Sequence, residues 1–522
     1  MTTRVRSRLR KVVAFSVVAG VVFIAILGWC NRLPPLGNRT RSSAITDTKT
    51  TRLGRGVASQ ITAHGGESGV YPLRDARDAF AARYLLAGAA ERSLDVQYYI
   101  WHNDLSGTLL MKALVDAADR GVRVRLLLDD NNTSGLDAIL AAVDAHPRIE
   151  VRLFNPFAIR KLRPLAYLTD FPRLNRRMHN KSFTADNQVT IIGGRNVGDE
   201  YFGATEGVLF ADLDVIGIGS VVGDVSSAFD RYWASESSYP ADRLLPRADP
   251  SQIRAVAAQA STLARQASAV AYMNALRQSP FVSEVLAGTL PFEWAKTRMI
   301  SDPPSKILGR ADGEELLFQQ FGEILGSPAK SFDLVSPYFV PGRHGVDLFE
   351  GWAKRGVKVR VLTNSLEASD VPVVHAGYAK RRKALLRAGI ALFELRSTPG
   401  QRPAGSGRAF GSSGSSLHAK TFAVDQSRIF IGSFNFDPRS AELNTEMGFV
   451  IDSPILARRM AEVFDRDVPV NAYSVRLSTT GDLQWTEQRG GQTVRHRTEP
   501  GAGFWKRLGV RLLSMLPIDP LL

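Results

Sequence analysis

The chain has 522 residues, too many for one average domain, and its 44% hydrophobic, 22% charged and 9% aromatic content excludes wholesale disorder, collagen-like repetition and a polytopic membrane bundle. One cysteine, Cys30, excludes a disulfide framework and leaves the redox compartment open. A net charge of +15 favours an anionic partner, whether nucleic acid, a phospholipid surface or a phosphorylated small molecule, and selects none of them.

In chain order, Arg4, Arg6, Arg8, Arg10 and Lys11 precede an uncharged 18-residue run from Val12 to Trp29. Such a run just suffices to cross a hydrocarbon core as a helix, and its basic flank would stay in the cytoplasm with everything after residue 30 outside. Residues 1–30 therefore read as a membrane anchor or as a lipoprotein signal ending at a lipidated Cys30. Trp29 weighs toward the anchor, because a small residue belongs just before a lipidated cysteine. Residues 31–69, with Pro34, Pro35 and many Thr and Ser, show no period and read as a linker, with folded structure expected from near Tyr71.

Two α/β halves follow, at residues 70–240 and 311–475, separated by a helical linker region at 241–310 in which Ile253 to Leu276 reads as one long helix. In the first half a strand from Leu94, a helix over Leu109–Ala118, a strand after Arg120 and another at Ile149 form a β-α-β-α-β order. Phe332, the helix ending at Lys354, the strand after Arg355 and Ile390 repeat it. Apolar strands alternating with helices predict two homologous, pseudo-two-fold related halves around mostly parallel sheets. A Gly- and Ser-rich loop from Ser397 to Ser416 reads as a lid or as disorder, and residues 476–522 form a tail. In that tail Phe504, Leu508, Leu512 and Met515 share one helical face, which suits either an interfacial or a buried helix.

The chemistry lies in the repeat. His179-x-Lys181 with Asp186, and His418-x-Lys420 with Asp425, share one spacing; Gly193 and Gly432 follow their histidines by 14 residues, Asn196 and Asn435 by 17. In a strand, residues two apart project together, so each half offers an imidazole and an ammonium on one face. Brought together, two imidazoles and two cations suit a phosphodiester: one histidine attacks, one protonates the leaving oxygen, and the lysines hold the non-bridging oxygens. No metal or cofactor is called for. Asp186 and Asp425 fall in a hairpin turn, as braces or as participants in the chemistry, and Asp214 and Glu446, aligned with each other, are each expected to orient the imidazole of a histidine.

This constellation resembles the phospholipase D superfamily, with the duplicated His-Lys-Asp motif at His179, Lys181, Asp186 and His418, Lys420, Asp425, and the likeness spans nearly all of residues 70 to 522. The strings Gln97-Tyr-Tyr-Ile-Trp101, Leu128-Asp-Asp-Asn-Asn132 and Leu513-Ser-Met-Leu-Pro-Ile518 are similar to its bacterial cardiolipin synthase branch. The resemblance implies a phosphohistidine on His179, His418 as acid and then base, and Lys181, Lys420, Asn196 and Asn435 holding the phosphate. The implied activity is phosphatidyl transfer between two phospholipids, phosphatidylglycerol with phosphatidylethanolamine or with a second phosphatidylglycerol, to give cardiolipin. A phospholipase D-type hydrolase or a nuclease is the alternative. Phospholipids and the bacterial inner membrane are the expected partners, with the catalytic part extracytoplasmic, nucleic acid disfavoured and room left for a partner protein. Seven basic residues against Asp170 between Arg160 and Lys181 are expected to meet anionic headgroups.

Overall fold

The computed structural model describes residues 3–205, 209–369, 371–397 and 416–516. The first half supplies β1 (Ser68–Leu73), β2 (Ser93–Ile100), β3 (Arg123–Asn132), β4 (Ile149–Phe154), β5 (Ser182–Ala185), β6 (Val189–Gly193), β7 (Phe210–Ala211), β8 (Asp214–Gly219) and β9 (Ser238–Pro240). The connecting region supplies β10 (Glu293–Ala295) and β11 (Thr297–Ser301). The second half repeats the plan with β12 (Ser331–Val335), β13 (Lys358–Asn364), β14 (Ala391–Leu395), β15 (Ser416–Leu417), β16 (Lys420–Val424), β17 (Arg428–Gly432) and β18 (Met447–Ile451), and the chain closes on β19 (Ala472–Leu477), β20 (Leu483–Arg489) and β21 (Gln492–His496).

Nine strands form one sheet, in the order β10-β1-β8-β6-β5-β2-β3-β4-β9, and ten form another, β11-β18-β17-β16-β12-β13-β14-β19-β20-β21. The sheets are mixed. Within them parallel pairing is confined to β2-β3-β4 and β12-β13-β14, the strands joined by helical crossovers, while the hairpins on either side make every other pairing antiparallel. Each parallel core carries the same buried ion pair. Arg125 grips Asp95 at 2.6 and 2.8 Å, and Arg360 grips Asp333 at 2.6 and 2.7 Å, both bidentate.

One apolar cluster joins the halves, combining Val70, Ile192 and Val215 with Ile431, Met447 and Phe449. Gly217 lets this contact close, since a Cβ there would come within 3.0 Å of the Phe449 ring. The strand β15 leaves its own sheet and pairs in parallel with β7, Ser416 opposite Phe210 and Leu417 opposite Ala211, so backbone hydrogen bonds also cross the interface.

Several expectations change. Residues 31–69 are a strap rather than a free linker: Arg39 donates to Ser235 O at 2.6 Å, Trp233 donates to Ser42 Oγ at 3.0 Å, Gln188 donates to Thr48 Oγ1 at 2.9 Å, and a helix forms over Arg52–Ala63. Its Ser and Thr serve as hydrogen-bond partners to the first half, which is why no apolar period shows. The expected helix over Ile253–Leu276 is two, Pro250–Ala264 and Ala267–Arg277, broken where Gln266 takes an extended conformation. The region 241–310 also ends in β10 and β11, one for each sheet, and the tail adds β20 and β21 to the second. The N-terminal helix, Thr3–Cys30, contains a 20-residue stretch, Lys11–Cys30, long and apolar enough to cross a membrane. Residues 398–415, most of the Gly- and Ser-rich loop, lie outside the described residues.

Candidate active site

Each histidine precedes a strand of its own half and is pinned by backbone from the other. His179 N–H donates to Thr445 O at 2.9 Å and Thr445 N–H returns to Arg177 O at 3.0 Å; His418 N–H donates to Ala211 O at 2.8 Å. The residue after each backbone acceptor is acidic, and its carboxylate meets the imidazole. His179 Nδ1 donates to Glu446 Oε2 at 2.8 Å, and His418 Nδ1 donates to Asp212 Oδ2 at 2.5 Å. The side chains of both acids are fully buried, and each histidine is only 7% exposed. A bond that fixes Nδ1 leaves Nε2 as the reactive nitrogen, as in a triad.

Asp212, not Asp214, is therefore the partner of His418. Strand register explains the difference: Gly193 pairs with Asp214 where Gly432 pairs with Gly448, so the equivalent of Glu446 is two residues before Asp214. Asp214 instead accepts from Arg83 Nη2 at 2.8 Å in a buried ion pair, and from Arg195 N–H at 3.1 Å. The loop before Asp212 is longer than the one before Glu446, and aligning the two strings without the strand pairing slips by two.

Lys181 and Lys420 project with their histidines, as the strand period requires. Lys181 Nζ donates to His179 O at 2.6 Å, and Lys420 Nζ lies 3.0 Å from His418 Nδ1. Tyr99 presents to His179 in an edge contact at 5.0 Å between centroids; Tyr201 and Phe210 enclose His418 at 5.2 and 5.1 Å. These aromatic walls, like Asp212, carried no repeated spacing that could have drawn attention to them.

Electrostatics show that the four basic groups share one space. Burial holds His179 well below the ordinary imidazole range, and Lys181, Lys420 and His418 depress it further. Burial and Lys420 also lower His418, against the pull of Asp212. Lys181 is brought down to about 7, chiefly by burial. An anion among these groups would turn their mutual repulsion into attraction. The acids differ: burial pushes Glu446 up to about 7, whereas at Asp212 the opposing effect of His418 and Lys420 outweighs burial and holds the carboxyl below its usual range. Glu446 is also clamped by Ser433 Oγ at 2.5 Å and Ser440 Oγ at 2.8 Å.

Asp186 and Asp425 brace their turns. Asp186 accepts from the N–H groups of Glu91, Arg92 and Ser93, and Asp425 from those of Ala329, Lys330 and Ser331, tying each hairpin to the start of β2 or β12. Each lies at the end of its strand away from the histidine, roughly 20 Å along extended chain, which removes both from the reacting groups. Asn196 is a prop as well, accepting from Ile100 N–H at 3.2 Å and donating to the Tyr201 hydroxyl at 3.1 Å. Asn435 differs, since its Oδ1 is buried with no hydrogen-bond partner among the described residues.

The model of a family described as "Cardiolipin synthase, PLD-like domain" matches residues 85–233 and 322–468. A protein of Escherichia coli (strain K12) named cardiolipin synthase C is 52% identical over 90% of this chain and 100% of its own. An uncharacterised Helicobacter pylori protein is 32% identical over 90% of this chain and 93% of its own. Among solved structures, phosphatidylserine synthase of Haemophilus influenzae covers 90% of this chain and 100% of its own at a TM-score of 0.55 and 13% identity, a likeness of fold. With two matched repeats, one on each half of the composite site, the chain belongs to the phospholipase D superfamily, in its cardiolipin synthase family.

Proposed function

We propose that the protein is a phosphatidyltransferase that joins two phospholipids into cardiolipin through a phosphohistidine on His179. The observation that carries this reading is the pair of histidine–carboxylate contacts, each made across the two halves, with a lysine beside each histidine. His179, held neutral by burial and by the surrounding cations, attacks the donor phosphorus through Nε2. The P–N bond forms as the P–O bond to the donor headgroup breaks, and His418, with ionised Asp212 behind it, gives its proton to the departing alcohol. Neutral His418 then takes the proton from a primary hydroxyl of phosphatidylglycerol. That oxygen attacks phosphorus, the P–N bond breaks and His179 is restored. Lys181 and Lys420 hold the non-bridging oxygens, with the Asn435 amide NH2 as a further donor. The low exposure of both histidines and their aromatic walls disfavour water as the second nucleophile, which supports transfer over hydrolysis.

The N-terminal helix or a lipidated Cys30 anchors the protein in the inner membrane, with the catalytic halves on its outer side. The test is purified protein in mixed phosphatidylethanolamine and phosphatidylglycerol vesicles, assayed for cardiolipin, phosphatidic acid and released headgroup, with His179→Ala as control. Cardiolipin formation is expected. Phosphatidic acid alone would make it a hydrolase, and degradation of DNA without lipid turnover would make it a nuclease.

A further inference from the structure

We infer that the helix Arg163–Leu174 is seated in the membrane interface and forms the ramp by which a phospholipid reaches His179. This rests on the reading that the substrates are phospholipids. The helix, kinked where Asp170 leaves helical geometry ahead of Pro172, exposes large apolar side chains on both sides of the kink, with Leu162 at its start 60% exposed, Leu168 58% and Phe171 47%. The end of the N-terminal helix lies against it. Leu27 is buried, and the Asn31 amide donates to Ala166 O at 3.2 Å and to Thr169 Oγ1 at 3.1 Å. Whether residues 11–30 span the bilayer or Cys30 carries lipid, Asn31 is the first residue outside the hydrocarbon. Both anchors therefore set this helix at the membrane surface, within the roughly 5–10 Å depth at which apolar helix faces enter the headgroup and acyl boundary.

The basic residues around the helix do not make it an electrostatic docking patch. Arg160 and Arg163 are spent on Asp130 and Asp137, Arg173 on Asp170 and Asn155, and Arg177 on Asp129; Arg176 donates to Lys306 O. Five of the seven cations expected to meet headgroups are thus taken up by protein contacts and Lys181 lies in the active site, leaving Lys161 as the exposed cation beside an outward face carried by Leu162, Leu168 and Phe171. From the helix a line of contacts runs inward. Tyr167 hydroxyl donates to Asn131 Oδ1 at 3.3 Å, Asn131 Nδ2 reaches the Tyr99 hydroxyl at 3.5 Å, and Tyr99 packs edge-on against His179. A lipid entering beside Phe171 and Tyr167 meets the attacking histidine first, which assigns this side of the site to the donor.

The experiment reconstitutes the full chain and the Leu168→Glu/Phe171→Glu variant in phosphatidylglycerol and phosphatidylethanolamine vesicles. Because the N-terminal anchor holds both in the membrane, attachment is not the variable. Turnover of the long-chain lipid should fall roughly tenfold or more, while turnover of monomeric dihexanoyl phosphatidylglycerol and the thermal midpoint stay at the parent values. High salt should leave the parent's vesicle turnover unchanged, since insertion is apolar. Unchanged vesicle turnover in the variant, or an equal loss on the short-chain lipid, would overturn the inference. A second readout does not depend on catalysis: Phe171→Trp should show added fluorescence quenched by bromolipids in the vesicle. Absence of that quenching, as when a partner protein covers the helix, would overturn the seating even if cardiolipin is made; quenching without lipid turnover would leave the seating standing while the reading of the reaction falls.

Discussion

Glu446 and Asp212 hold equivalent histidines with different strength of charge. The ionised Asp212 favours a protonated His418, whereas Glu446, near its titration point, with two serine donors, favours a neutral His179. Asp212→Asn and Glu446→Gln should each lower kcat by on the order of 10²–10⁴, by analogy with the loss of an orienting acid in a triad, with the thermal midpoint little changed. Asp214→Asn should do the reverse. It weakens the buried contact with Arg83 and should cost about 3 kcal/mol of stability in urea unfolding, with near-parent kcat on the folded fraction. A large kcat loss in Asp214→Asn with normal stability would contradict the strand register. Lys181 sets a pH limit: lowered to about 7, it carries its charge below that pH and sheds it above. Affinity for an anionic phosphodiester analogue should therefore weaken as pH rises through about 7, and Lys181→Arg should remove that limb from a binding titration.

At the scale of the element, the spacing shared by the two repeats serves two ends of one hairpin. The histidine and lysine enter at one end of β5 or β16, and the aspartate ties the other end to β2 or β12. Asp186→Asn should cost roughly 1–3 kcal/mol through lost hydrogen bonds to backbone N–H groups, with phosphohistidine formation intact below the lowered melting temperature. At Asp425 three backbone N–H groups outweigh burial and hold the carboxyl below its ordinary range. Its stabilisation is thus present above the unfolded-state value, near 4, and is lost as pH falls through the lower folded value, so Asp425→Asn should flatten the acid limb of stability. These hairpins were legible because everything in them is local. Gly193 and Gly432 stood out by spacing, but their reason did not: a Cβ would come within 2.5 Å of the Asp214 Cα or 2.3 Å of Met447 O on the antiparallel strand paired beside it. Asp212 was not legible, since it depends on pairing between β6 and β8 across a loop whose length differs between the halves.

For the whole molecule, the duplication and the shared site were readable from matched motifs, while the exchange of acids was not, because it joins residues more than two hundred positions apart by a contact without a motif. The strap was missed for a related reason: hydrogen bonds to an extended segment leave no hydrophobic period. The composite site makes a kinetic prediction. His418→Ala should accumulate acid-labile, base-stable phosphate on His179 during quenched turnover, and His179→Ala should accumulate none. Orientation is checked separately. Protease added to intact spheroplasts should digest the two halves, and full protection would reverse the assignment of sides.

The crossing of acids between the halves has a consequence for symmetry. Two identical copies of one half would present two indistinguishable histidines, each as ready to attack as to protonate, and the choice would be left to whichever held a proton when substrate arrived. Joining the copies in one chain frees each acid to diverge independently of its twin. Here one histidine meets Asp212 and the other Glu446 clamped by Ser433 and Ser440, so in the proposed mechanism the bias between donor and acceptor of the proton is written into covalent sequence. Exchanging the two acids, as Asp212→Glu with Glu446→Asp, should therefore blur which histidine carries the phosphate while leaving the fold two-fold and intact.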